Sequence, residues 1–140
     1  MDGIINENGF RQFVNDLRSG NLNGIVVYIH RLTQDPVALA SDANLRYIFQ
    51  AVTTDGQLDL HFPKDEDLEI VYSIPKRILL AITQTDEGAQ ALKNNPGLAE
   101  ILADYDLMRD CIFCSNAISD ASFEQKLIDI SQESPHFLGV

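Results

Sequence analysis

Apolar residues recur along this chain at helical rather than strand spacing almost throughout. Phe10, Phe13, Val14 and Leu17 occupy i, i+3, i+4 and i+7, which predicts a short amphipathic helix stopped by Ser19-Gly20. A second helix is predicted from about Leu22 to Thr33, ended by Asp35-Pro36. Its run Ile25-Val26-Val27-Tyr28-Ile29 would suit a buried strand by propensity alone. A matching run, Ile78-Leu79-Leu80-Ala81-Ile82, is a far better helix former and decides for helix in both places. Ser41-Asp42 offers an N-cap for a helix carrying Leu45, Ile48, Phe49 and Val52 on one face. Leu68, Val71 and Tyr72 mark the next helix, and a break near Ser73-Ile74 places Pro75 in the first turn of its successor. Asp86–Leu92 reads as a short helix. Asn94-Asn95-Pro96-Gly97 is a stop and restart before Leu98, Ile101, Leu102 and Tyr105. Helical spacing continues through Leu107–Ala117 and restarts at Ser119-Asp120-Ala121 with Phe123, Leu127 and Ile130, leaving Ser134–Val140 as an extended tail.

One stretch departs from this rule. In Thr53–Pro63, Asp55-Gly56 is a turn signal, and Leu58, Leu60 and Phe62 alternate with polar residues, so 53–63 is expected to form a small hairpin or ordered loop.

The pattern also repeats. Gly24–Val52 is echoed without a gap by Arg77–Tyr105, with identities at Ile25/Ile78, Ile29/Ile82, Ala38/Ala91, Leu39/Leu92, Leu45/Leu98 and Ile48/Ile101. Apolar character is kept at Val26/Leu79, Val27/Leu80, Phe49/Leu102 and Val52/Tyr105, while the polar positions have drifted. A supersecondary unit used twice behaves in this way, because only its buried face is constrained. A shorter third echo over 117–131 needs a gap. The expectation is one all-α domain over 1–140.

Composition narrows the class further. A chain of 140 residues with 45% hydrophobic and 22% charged residues is that of a folded globular protein with a core of its own. No apolar run approaches the roughly 20 residues of a membrane span. The first residues, Met1–Glu7, show neither a basic nor an apolar leader region. A cytoplasmic protein is expected, with signal-independent export left open. The net charge of −11 opposes nucleic acid and favours a partner with a basic or partly apolar surface. The acids cluster at Asp65-Glu66-Asp67-Leu68-Glu69, over Glu100–Asp110 and in the C-terminal helix. Homo-oligomerisation is left open.

Candidate chemistry is sparse. Cys111 and Cys114 form a CxxC pair, but it lies well inside an expected helix rather than at an N-terminus, where the dipole would lower a thiol pKa. Inert buried thiols are the simpler reading, and a thiol redox or sensor role is the alternative. His30, His61 and His136 lack metal-ligand spacing and have no visible Ser or Cys partner. No GxSxG elbow and no glycine-rich phosphate loop occurs. The chain therefore reads as a non-enzyme without metal or cofactor. The positions flanking the apolar face of the helix after Asp42 are Asn44, Arg46, Tyr47 and Gln50; with Glu100 and Asp104 from the second copy they form the candidate protein-binding set. A solvent-facing Tyr47 beside Arg46 has the make-up of an interface anchor, while a partly packed surface tyrosine is the simpler reading.

The unit is a long helix, a short one and a second long one. In Leu79-Leu80-x-Ile82, Gly88-x-x-Ala91-Leu92 and Pro96-Gly97-Leu98-x-x-x-Leu102 it resembles an armadillo or HEAT-type helical repeat over about 30 residues per copy. Departures are plain. Gly88 falls opposite Asp35 and Pro96 opposite Ala43, and the separation of the copies exceeds the roughly 40–47 residues of those families. A short repeat stack or a compact bundle of packed helical hairpins is expected. The resemblance implies a protein-binding scaffold (an adaptor, inhibitor or regulator) whose second long helices line a concave surface.

Overall fold

In a computed structural model describing residues 3–53, 64–109 and 121–135, every element is a helix. Among those residues the order is α1 (Glu7–Ser19), α2 (Leu22–Thr33), α3 (Pro36–Ser41), α4 (Leu45–Val52), α5 (Asp65–Tyr72), α6 (Ile74–Thr83), α7 (Asp86–Lys93), α8 (Leu98–Arg109) and α9 (Ala121–Glu133). The expected hairpin or loop at 53–63 lies outside the described residues beyond Thr53, as do Cys111 and Cys114.

Local chemistry sets the helix ends. Asn6 caps α1 by accepting from the Gly9 N–H, and Gly20 closes it at φ 74°, a left-handed conformation that glycine adopts without penalty. Asn21 caps α2, and Asp35 caps α3 with Pro36 in its first turn. Pro75 stands in the first turn of α6, as its position in the sequence predicts.

Matching helices lie side by side: α2 against α6, α3 against α7 and α4 against α8. Helix α1 packs on α2, α5 on α6, and α9 on α7 and α8. The core is continuous across these contacts. Ile25, Leu39, Leu45 and Ile48 are wholly buried, and so are Ile78, Leu92, Leu98 and Ile101. Leu127 and Ile130 of α9 join them.

The turns that lead into α4 and α8 are built alike. Asp42 and Asn95 are both buried, and each accepts through Oδ1 from the N–H two residues on: Asn44 at 2.9 Å and Gly97 at 2.8 Å. Each also donates its own N–H to a leucine carbonyl three residues back, Leu39 and Leu92. Such Asx turns hold the chain in a tight bend before a helix begins. Asn95 then joins the two turns, because its Nδ2 donates to the Ala40 carbonyl at 2.8 Å and to the Asp42 carbonyl at 2.9 Å.

Two sequence expectations require correction. Asp42 is not the N-cap of α4; its Oδ2 accepts from the Ile5 N–H at 2.9 Å, and the helix begins at Leu45. Nor is the echo gapless in space. Helices α2 and α6 end at Thr33 and Thr83, and the caps of α3 and α7 are Asp35 and Thr85, a separation of 50 residues rather than 53. Helix α7 has 8 residues where α3 has 6, and the turn after it is also longer. A three-residue slip is nearly one helical turn, so apolar positions still meet apolar positions and the gap is invisible in the sequence. It shows where faces differ: Leu79 is wholly buried, whereas Val26, its partner in the gapless alignment, is 48% exposed. In the spatial register Val26 and Val27 correspond to Lys76 and Arg77.

Candidate functional site

The predicted set around Tyr47 is only partly assembled. Arg46 and Tyr47 sit in the first turn of α4 and face Glu100 in the first turn of α8, because those two helices pack together. The Arg46 guanidinium lies 4.9 Å from the Tyr47 ring centre, donates to the Tyr47 hydroxyl at 3.0 Å, and approaches Glu100 at 3.7 Å. Arg46 Nε is buried with no hydrogen-bond partner. Tyr47 is a partly packed surface tyrosine, the simpler of the two sequence readings. Its ring is half-buried against Phe10 of α1, with centroids 6.3 Å apart, because α1 folds back over the start of α4. Phe10 in turn meets Phe13, and Phe13 meets Tyr28, so a file of four aromatic rings runs from α4 through α1 to α2. Asn44 is half-buried in the turn before α4, Gln50 is exposed, and the Asp104 side chain lies outside the described residues.

A second surface was not anticipated, and it is centred on α2. Val26 and Val27 are 48% and 55% exposed, side by side on the outward face of that helix. The cause lies in the run Ile25–Ile29. At about 100° per residue, five consecutive apolar residues encircle a helix, whereas the core can cover only one stripe. Ile25 and Ile29 take the core, and Val26 and Val27 are left outside. That unbroken run is the sequence signal for this surface, since a helix apolar all round cannot bury every side against one core.

Concave spaces flank this ridge on both sides. Between α1 and α2 lies a cleft of about 550 Å³ reached by Asp16, Tyr28, Val27 and Arg31. Asp16 is buried there, its Oδ1 accepting from Gln12 Nε2 at 3.0 Å and Asn21 Nδ2 at 3.2 Å. The Tyr28 hydroxyl is buried without a partner; burial, and then the nearby Asp42 charge, push its pKa up to about 12. Between α2, α5 and α6 lies a smaller groove of about 240 Å³, floored by Ile25, Ile29, Ile70 and Ile74 and edged by His30 and Arg77.

The charge of α2 and α6 opposes that of the whole chain and of the neighbouring α5, which carries Asp65, Glu66, Asp67 and Glu69. Helices α2 and α6 contain Arg31, Lys76, Arg77 and His30 and no acidic residue, in a protein of net charge −11. Among the described residues, no group of three or more His, Cys, Asp or Glu is placed to hold a metal ion. Also among them, no helix is long and apolar enough to cross a membrane. No protein-family model, no curated protein and no solved structure matches this chain.

Proposed function

We propose that this protein is a binding module, acting as an adaptor, inhibitor or regulator, and that it meets its partner on the α2 surface. The observation that carries this reading is the exposed Val26–Val27 pair between two concave spaces. Contiguous apolar surface rimmed by polar groups favours association, because water leaves it on contact. The helices beneath are held by a continuous core, so the surface is presented ready-made at small entropy cost. The side-by-side placement of α2 with α6, α3 with α7 and α4 with α8 supports reading the chain as two stacked units of armadillo or HEAT kind. A cytoplasmic setting is part of the same proposal. The Arg46–Tyr47–Glu100 cluster supports a second contact region for a basic partner, since Glu100 is exposed and Tyr47 presents part of its ring.

Capture from a native lysate tests this reading. Bait carrying Val26→Asp and Val27→Asp should lose proteins that the wild-type bait retains, whereas a Gln50→Asp bait should keep them. Identical sets of captured proteins from all three baits, each folded by circular dichroism, would remove the α2 surface from the proposal.

A further inference from the structure

We propose that the groove between α2 and α6 receives an acidic, aliphatic segment of a protein partner, its apolar side chains on the groove floor and its carboxylates on Arg77 and His30. This rests on the binding-module reading above and names the chemistry of the partner. The groove floor is aliphatic, and Val26 extends it outward along its α2 edge. Its volume of about 240 Å³ falls below the roughly 300–1,000 Å³ of pockets that enclose a small ligand, so it suits one or two side chains of a larger partner. An amphipathic helix laid into a groove makes contacts of this kind.

Charge selects among such partners. One base stands on each side of the floor, His30 from α2 and Arg77 from α6, and no acidic residue lines the groove. Arg77 Nε donates to Ser73 Oγ at 3.0 Å, which steadies the guanidinium stem and leaves its terminal nitrogens for a carboxylate. His30 shares a 3.1 Å contact only with the neutral Gln34 amide. Among the described residues three cations are paired with carboxylates: Arg11 with Glu7, Arg46 with Glu100 and Lys93 with Glu133. Neither Arg77 nor His30 has a carboxylate partner among the described residues. A basic occupant would meet the like charge of Arg77 at the groove edge, whereas an acidic one would meet opposite charge there and the hydrogen-bonding imidazole of His30 across the floor.

The test uses three synthetic helical peptides followed through the methyl resonances of Val26 and Ile74 in the full chain. The first carries leucine at i, i+3, i+4 and i+7 with glutamate elsewhere; the second has lysine for glutamate; the third has serine for leucine. The leucine–glutamate peptide should shift both methyls and bind at least tenfold more weakly to Arg77→Glu, with Arg77→Gln intermediate. Its affinity should fall several-fold between 50 and 300 mM salt. The leucine–lysine peptide should engage the groove better in Arg77→Glu than in the wild type. An affinity for the glutamate peptide indifferent to both Arg77 variants, or equal groove binding of the lysine peptide to the wild type, would overturn the proposal. So would a concentration-dependent dimer broken by Val26→Asp, which would assign the groove to a second copy. Lysate partners lost with Val26→Asp but kept with Arg77→Glu would retain the binding module and reject the acidic segment.

Discussion

Helices α2 and α6 pack side by side, each is followed by a short capped helix, and their inward faces do the same work with similar residues. Ile25, Ile29 and Leu32 are buried in one; Ile78, Leu79 and Ile82 are buried in the other. Their outward faces part company. Where α6 carries Lys76 and Arg77, α2 carries Val26 and Val27. Long basic side chains on a helix surface keep their charge in water, and two valines there have no such role. The difference teaches where selection for folding ends. The shared residues account for the core, and the exposed valines on only one of the two helices are what the proposed partner would cover.

The largest expected effect tests whether the two halves are equivalent inside. Leu45 and Leu98 open α4 and α8 and are both wholly buried, so Leu45→Ala and Leu98→Ala should each cost about 2–5 kcal/mol in urea unfolding. A near-neutral result at only one of them would break the correspondence of α4 with α8.

Next comes the pair of turns, where the halves differ in consequence. Asn95→Ala would strip the Nδ2 donor from the Ala40 and Asp42 carbonyls (the latter keeping the Leu45 N–H) and the acceptor from the Gly97 N–H in a buried place, at about 3 kcal/mol. Asp42→Ala would strip the Ile5 and Asn44 N–H groups, one of them near the chain start, and should cost about 2 kcal/mol. An Asp42 variant that proves the more damaging would place the stronger tie at the N-terminal segment instead of between the halves.

Much of this was legible in the sequence, and the reasons for the failures are physical. The limits of α2 follow from Asp35-Pro36 and from helical spacing, both of them local. The restart at Pro75 is local as well. Asn95 announced itself only as part of a stop signal, because its carbonyl acceptors lie more than 50 residues away. Asp42 was misassigned as a cap for the same reason, since the Ile5 N–H that takes its second oxygen is 37 residues distant. That Tyr47 is partly packed agrees with the simpler sequence reading, but a single helix wheel cannot show that the packing residue is Phe10 of α1.

A smaller effect is expected at the first turns of α3 and α7. Ala38 and Gly88 hold the same capped position, their N–H groups donated to Asp35 and Thr85. A methyl group at Gly88 would fall on the Ile82 carbonyl oxygen, which is backbone and cannot swing aside. Gly88→Ala should therefore destabilise by about 1–3 kcal/mol, although helix propensity alone favours alanine by about 1 kcal/mol. A stabilising outcome would mean that α7 can move off the Ile82 carbonyl far enough to admit the methyl group.

The smallest effect at neutral pH concerns Tyr28, which in the spatial register stands where α6 has Ile78. The isoleucine is wholly buried and apolar, whereas the tyrosine carries a hydroxyl into a buried place without a partner. Tyr28→Phe removes that orphaned group and keeps the ring against Phe13, so stability at pH 8 should be unchanged or slightly higher. The contrast grows in alkali. The folded protein holds the phenolic proton up to about 12, while the unfolded chain releases it near the ordinary value of 10.0. The unfolded state therefore gains by ionising first, and stability present below pH 10 is lost as pH rises toward 12. Urea unfolding of wild type and Tyr28→Phe at pH 8 and pH 11 should show the wild type losing more, with one of the 4 tyrosines titrating late in absorbance at alkaline pH. Equal losses in the two proteins would mean that the Tyr28 hydroxyl reaches water through the α1–α2 cleft, and the likeness of α2 to α6 would then end at that turn.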